Sequence, residues 1–411
     1  MKYWLLIALV GGSVHAAPPA TPGLLPTNIV RPLIDRDPEV AAARATRGIA
    51  QQDAALARAS PYEWNAKASA QRRSIESGQR YGEWNVGLEH TLRLPGKARA
   101  DRAIAAATIE EGEARYGEAL HETARELLDL WLTWAEAEQT VLLTASQVKA
   151  AKDNFESVDK RVKAGDAAKL DAGIARADLG EQLRAASDAR TAANVAWARL
   201  HARFPELPRS YPEVPEPSVL EGESERLRAR IVKQSDELKI SEALLAKSEA
   251  HNARDRADRI PDPTVGIFSA SEVGGRERLT GVTLTIPIPG AIRKGRADKS
   301  LHTAEVSRQQ LELKKRELDA TISATLASAE GFYESWQIAE SGATAMRDNG
   351  QLMQRAYTLG EADLQSLLTA RRQAATAAQG ALTAKVAAAR AYYFLLVDAH
   401  LVWDMDHELG E

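Results

Sequence analysis

The sequence predicts a mainly α-helical chain with a membrane β-barrel: a tandem repeat giving four β-strands and long coiled-coil-like helices. Three observations predict it. The first is composition: 411 residues with about 75 alanines, 27% charged and only 5% aromatic residues. Alanine is the best helix former and too small to fill a thick core, so long helices packed side by side are expected rather than a compact α/β enzyme. The second is self-similarity. Gly87-Leu-Glu-His-Thr-Leu-Arg-Leu-Pro95 and Gly281-Val-Thr-Leu-Thr-Ile-Pro-Ile-Pro289 align without a gap at an offset of 194, that is 281 − 87. The third is the alternation of apolar and polar residues in short runs, at the period of a strand with two unlike faces.

The N-terminus comes first. Lys2, an apolar run from Tyr3 to Val10 and Val14-His15-Ala16 describe a signal peptide over residues 1–16, cleaved after Ala16. No later stretch is long, apolar and uncharged enough for a membrane helix; Ala387 to Trp403 is interrupted by Arg390, Asp398 and His400. Without cysteine, disulfides, thiol catalysis and Cys-based zinc sites are excluded. A net charge of −4 gives no footprint for nucleic acid. No Gly-x-Ser-x-Gly, P-loop or dinucleotide fingerprint occurs, so neither enzyme nor cofactor is expected.

The first repeat spans 17–204 and the second 223–411, joined by a proline-rich linker over 205–222. Five prolines between Pro205 and Pro217 cannot sit inside a helix. Each repeat reads as a helix, a strand pair (about 60–95 and 261–289), a very long helix, a glycine turn and another long helix. From about Gly96 to Arg161, Leu120, Ala124, Leu127, Trp131, Trp134, Glu138, Val141, Ala145 and Val148 follow 3/4 spacing, with Glu138 the misfit. From about Lys294 to Arg355 the stripe is Leu311, Leu318, Ile322, Ala329, Phe332 and Trp336. Glycines turn the hairpins at 165 and 360; each is followed at ten residues by Ala-Arg, Ala175-Arg176 and Ala370-Arg371.

In the strand regions, Trp84, Val86, Leu88, Leu92 and Leu94 alternate with Asn85, Glu89, Thr91 and Arg93, His90 being the exception on the apolar side. Val282, Leu284, Ile286 and Ile288 alternate with Thr283, Thr285 and Pro287. The run around Pro263, Val265 and Ile267 leaves its facing open. Such two-faced runs fit a barrel with lipid outside and water inside; a soluble two-layer sheet is the alternative. Four strands do not close a barrel, and lipid tolerates no open edge. Three chains are therefore expected to share one twelve-stranded barrel, with their helices forming a tube beyond it.

The duplicated strand-Pro-Gly-basic-helix junctions, the segment Asp262-Pro263-Thr264-Val265-Gly266 and the repeated Gly-x9-Ala-Arg spacing resemble the TolC-like outer-membrane efflux factors. The opening Asp37-Pro38-Glu39-Val40 and the stretch Arg259 to Gly266 are most similar to the outer-membrane components of cobalt-zinc-cadmium type cation-efflux (RND) systems. The resemblance implies a homotrimer in outer-membrane lipid, with a periplasmic α-helical barrel. It also implies partners, a periplasmic adaptor (membrane fusion) protein and an inner-membrane RND pump, and a passive duct for heavy-metal cations or, alternatively, drugs. A soluble periplasmic coiled-coil scaffold is the competing class.

The resemblance places the periplasmic tip and gate at Gly165, Asp171, Arg176, Tyr357, Gly360, Glu361, Asp363 and Arg371. Asp171 falls at the family's tip carboxylate, its counterpart being Ser366, and Tyr357 is expected to reach Asp171 across neighbouring hairpins. Asp166, Glu361 and Asp363 also suit helix capping. The basic clusters Lys97, Arg99, Arg102 and Arg293, Lys294, Arg296, Lys299 read either as solvated helix starts or as anchors for phosphates at the membrane interface. In the C-terminal tail, His400, Asp404 and His407 are candidates for weak metal capture, against the reading of an ordinary solvated tail.

Overall fold

The structure, a computed structural model, describes residues 22–403 and 405 apart from 211 and 221, so the signal-peptide segment, Asp404 and His407 lie outside the described residues. Element order shows the duplication directly. Helices α1 (Thr27–Asp35) and α2 (Pro38–Arg58) precede β1 (Trp64–Ser74), β2 (Arg80–Thr91), α3 (Pro95–Lys163) and α4 (Lys169–Arg203). Helices α5 (Ser224–Gln234) and α6 (Asp236–Ala257) precede β3 (Thr264–Glu272), β4 (Glu277–Thr285), α7 (Ala291–Leu359) and α8 (Leu364–Asp398). The long helices α3 and α7 have 69 residues each, about 100 Å at 1.5 Å per residue. Their return helices α4 and α8 have 35 each. The rest of each long helix is flanked by the short ones, α2 and α6 on α3 and α6 on α7. Among the described residues no helix is long and apolar enough to cross a membrane.

The four strands form one antiparallel sheet in the order β1-β2-β3-β4, leaving β1 and β4 as its edges. Register sorts the faces. His90 lies opposite Trp64 and Val265, with Leu284 next in line; Leu88 lies opposite Ala66 and Ile267, with Val282 next. Val265 and Ile267 therefore share the apolar face, which settles the facing of β3. His90 is accommodated there by stacking on Trp64, ring centroids 4.6 Å apart. The other face is ionic: Lys67 pairs with Glu89 at 2.5 Å, and Arg73 with Glu83 at 2.8 Å and Glu272 at 3.2 Å. The repeat glycines Gly87 and Gly281 flank Phe268 on that face, and a Cβ on Gly281 would come within 2.6 Å of the Phe268 ring. The apolar side continues along the chain to Ile286 and Ile288, both exposed.

The core lies at mid-length of α3. Leu120, Ala124, Leu127, Trp131 and Trp134 are buried there against Val30 and Ile34 of α1, Phe204 and Leu207, and Trp403 and Met405. Polar edges of the core strap irregular chain onto the helices: Trp131 Nε1 donates to the Gly23 carbonyl at 3.1 Å and Trp403 Nε1 to that of Leu25 at 2.7 Å. Tyr393 Oη donates to the Glu216 carbonyl at 3.0 Å, which fixes the linker. The misfit Glu138 has a purpose: it accepts from Trp134 Nε1 at 3.0 Å and pairs with Arg209 at 3.3 Å. Two seam expectations need correction. Ala145 is exposed, because the buried series resumes at Thr144, Ala151 and Val158, intervals of seven displaced by three residues from Leu120, Leu127 and Trp134. A three-residue shift in heptad phase re-aims the seam, here toward α4 and α8, which pack on Val158. Phe332 is also exposed, whereas Leu311, Ile322, Ala329 and Trp336 of the same stripe are buried.

A buried ionic knot joins sheet to helices. Lys97, in the first turn of α3, is 1% exposed and lies 2.8 Å from Asp258 and 3.0 Å from Asp262. Asp262 also accepts from the Leu94 amide at 3.0 Å and from Tyr62 Oη at 2.6 Å. Asp258 also binds Arg254 at 3.2 Å and Arg293 at 3.1 Å, and Arg254 reaches Asp101 at 2.8 Å, which pairs with Arg93. Lys97 and Arg293 are thus turned inward onto carboxylates and do not project toward lipid phosphates, a correction to the interface reading for these two residues. Burial acts to raise both carboxyls, but the hydrogen bonds from Lys97 and Arg254 to Asp258, and from Tyr62, Leu94 and Lys97 to Asp262, outweigh it and hold them below the usual range.

Removing Asp262 leaves a buried ammonium and two donors short of an acceptor. Asp262→Ala is expected to cost about 3 kcal/mol or more and Lys97→Met less, because both carboxylates keep other donors; denaturant titration followed by circular dichroism measures both. Depressed carboxyls stabilise the fold fully above their unfolded value near pH 4 and lose that contribution as pH falls through the lower folded value. Melting temperature is therefore expected to drop below about pH 4, and to drop less steeply in Asp262→Asn.

Candidate functional site: the hairpin tips and the boundary of the sheet

Both hairpins end in the same backbone device. Gly165 and Gly360 have φ of +82° and +79°, the left-handed region that costs glycine nothing. The Asp166 amide bonds the Arg161 carbonyl at 2.8 Å and the Glu361 amide that of Ala356 at 2.9 Å, while the glycine amides bond back three residues, to Val162 and Tyr357. This pairing is the Schellman motif, and it turns each long helix into its return helix. Beyond the second turn Asp363 caps α8: its Oδ1 accepts from the Ser366 amide at 2.8 Å, and its Oδ2 accepts from the Ser366 hydroxyl at 3.0 Å. Asp166 serves the first turn differently, pairing with Arg161 at 2.9 Å. Glu361 enters through its backbone amide.

The two tips pack on each other through a small apolar cluster. Val158 of α3, Ala175 of α4, and Leu364 and Leu368 of α8 are buried together, with Phe155, Val162, Ala172 and Tyr357 around them. Cations cover its aromatic rings. The Arg161 guanidinium lies 5.8 Å from the Tyr357 ring centroid and that of Arg176 lies 5.6 Å from Phe155. Among the described residues no hydrogen bond joins Tyr357 to Asp171; within the chain Arg161 and Arg371 are charged neighbours of the tyrosine. Arg371 differs most from its expected place. It donates to the Ala150 carbonyl at 3.1 Å and to Gln354, inside a groove between the hairpins, and burial lowers its guanidinium below its ordinary value. It lies one residue after the buried Ala370 and ties α8 to α3 and α7. It is a strut between hairpins and not an exposed tip charge.

At the sheet boundary, Arg99, Arg102, Lys294, Arg296 and Lys299 are exposed around the starts of α3 and α7. They are the exposed members left in the two basic clusters once Lys97 and Arg293 turn inward. At the end of α8, Asp398 pairs with Arg125 and lies 3.0 Å from His121 Nε2, and the His400 ring centroid is 6.2 Å from that of His121. His121 escaped the sequence reading, although Glu118, His121 and Glu122 stand at i, i+3 and i+4 and so share one helix face.

Comparison with known proteins agrees with this geometry. Residues 30–203 match the outer membrane efflux protein family. No curated protein sequence matches the chain. The fold is shared with the CmeC outer membrane channel of Campylobacter jejuni, at a TM-score of 0.74 and 15% identity, over 94% of this chain and 87% of that one. It is also shared with the open-state MtrE outer membrane channel of Neisseria gonorrhoeae, at 0.73 and 16%, over 93% and 90%. The outer membrane protein VceC of Vibrio cholerae matches at 0.72 and 12%, over 92% and 95%. These neighbours are channel and membrane proteins, not enzymes. Residues 30–203 are thus similar to the outer membrane efflux protein family, and the chain as a whole shares the fold of these outer membrane channels.

Proposed function

We propose that the chain is the outer-membrane exit duct of a tripartite RND-type efflux system. Three copies would close one twelve-stranded barrel and extend it as an α-helical tube across the periplasm. The carrying observation is the sheet: four antiparallel strands with one bare apolar face, one ion-paired face and two unpaired edges. Because successive strands alternate in direction, β4 of one chain meets β1 of the next antiparallel, so a ring of three closes without a mismatched edge. The five exposed cations at the helix starts would then face phosphates at the inner surface of the outer membrane. The helices, about 100 Å long, would carry the bore to the tips, where an adaptor and an inner-membrane pump dock.

Heavy-metal cations are the proposed cargo, on the resemblance of the Asp37-Pro38-Glu39-Val40 and Arg259 to Gly266 segments to cation-efflux components. Asp37 caps α2 by accepting from the Glu39 amide at 2.8 Å and pairs with Arg203. That role is structural, so selectivity would rest with the pump. At the tips, the Arg161 cover over Tyr357 and the Asp171 carboxylate are proposed to hold the resting duct shut.

Two measurements test this. Detergent-solubilised protein is expected to run as a trimer of about 134 kDa, three chains of 44.6 kDa each. A deletion strain is expected to become sensitive to zinc, cobalt, cadmium, copper or silver salts and to recover with the intact gene. A water-soluble monomer overturns the duct; sensitivity to antibiotics and detergents alone moves the cargo to organic compounds. In planar bilayers, Tyr357→Phe, Asp171→Ala and Arg161→Ala are each expected to raise single-channel conductance or open-state occupancy, and unchanged traces in all three rule these residues out as the gate.

A further inference from the structure

Away from tips and sheet, a cleft of about 570 Å³ opens between the middle of α3, the α5–α6 junction, α7 and the end of α8. Its α3 wall carries Glu118, His121 and Glu122, and one ligand atom from each lies within 4.8 Å of the other two. Ligand atoms about 2.1 Å from a tetrahedral zinc ion stand about 3.4 Å apart, so the set has at most about 1.4 Å to close. His121 is oriented as a metal ligand usually is. Its Nε2 lies 3.0 Å from Asp398 Oδ1, and in the tautomer that donates this proton the lone pair is on Nδ1. Spacing of Glu and His at i and i+3 is how helical bundles present carboxylate and imidazole to one ion.

A second, independent observation comes from the opposite wall. Asp236, in the first turn of α6, has a side chain 1% exposed and lines the same cleft. Lys239 holds its Oδ1 at 2.9 Å, but its Oδ2 is buried with no hydrogen-bond partner. An orphaned buried carboxylate oxygen is costly and marks a missing donor or cation. The cations already there are engaged: Lys314 with Glu237 at 3.2 Å and Glu317 at 3.6 Å, and Arg125 with Asp398.

We propose that this cleft is a binding site for a divalent first-row transition metal ion, held by Glu118, His121 and Glu122 of α3 with Asp236 of α6 opposite. Mixed carboxylate and imidazole donors suit zinc, cobalt, nickel, manganese or iron rather than the softer ions that seek sulfur. Bound there, the ion would bridge the first repeat to the second. This site lies apart from the hairpin tips and the sheet, and it stands whether or not the chain conducts.

The probe is zinc, titrated calorimetrically into chelator-treated full-length protein in detergent with millimolar magnesium present. One zinc per chain is expected, with affinity at least tenfold lower in Glu118→Gln/Glu122→Gln and in His121→Ala, and several-fold lower in Asp236→Asn. Cobalt in place of zinc is expected to give a visible absorption band that the same variants lose. The double glutamine variant preserves volume and removes only charge, so it decides the matter even if His121→Ala fails to fold. No binding to the intact protein, or equal binding in the double glutamine variant, overturns the site. Binding lost in His407→Ala but kept in the double variant assigns the metal to the C-terminal tail and equally overturns it.

Discussion

The Lys97 ammonium, buried at the root of α3 between Asp258 and Asp262, is the interaction on which the relation of sheet to helices depends. Asp262 lies two residues before β3 and Lys97 in the first turn of the helix that follows β2, so the contact joins the two repeats where the second passes from helix to strand and the first from strand to helix. A buried charge of this kind is stable only with complete pairing. The surrounding Arg93, Asp101, Arg254 and Arg293 supply it as one network. Three carbonyls at the end of α2, those of Ala57, Arg58 and Ala59, are taken up by Arg93. The knot therefore fixes where the strands stop, where the helices start and at what angle they leave.

Above the knot the sheet is held by cross-strand ion pairs on one face and by little on the other. In water, a bare face of Leu88, Ile267, Val282 and Leu284 would be a liability, as would two open edges. In the proposed barrel, hydrocarbon would cover the face and a neighbouring chain the edges. Below the knot, stability comes from the aromatic core around Trp131 and Trp134, where the N-terminal helix, the linker and the chain end are strapped on by indole and phenol donors. Straps of this kind let irregular backbone lie against a helix without orphaned polar groups.

Much of the fold was legible because it rests on periodicity and duplication. Alternation gave the strands, 3/4 spacing the helices, and two glycines the turns. The facing of Val265 and Ile267 was not legible, since it depends on pairing with Leu88 and His90 far away in sequence. Ala145 fell off the seam because the change of packing partner along α3 leaves no local mark. Candidate site residues were legible only as chemical types. Lys97, Arg102 and Arg293 look alike in sequence, and only the fold shows that Asp258 and Asp262 claim the first and third. Likewise His121 acquires meaning through Asp398 and Asp236, which lie 277 residues after it and 115 after it, that is 398 − 121 and 236 − 121.

The equal lengths of the duplicated helices carry an evolutionary consequence. One residue added to a 69-residue rod turns everything beyond it by 100° and advances it by 1.5 Å. The tip carrying the insertion would then slip out of step with its twin, and the shared cluster of Val158, Leu364 and Leu368 would come apart. Length can therefore drift only in near-whole turns and only in both repeats together. The two halves are free to diverge in composition, as the aromatic core of one and the sparse burial of the other show, but each remains the measuring rod of the other.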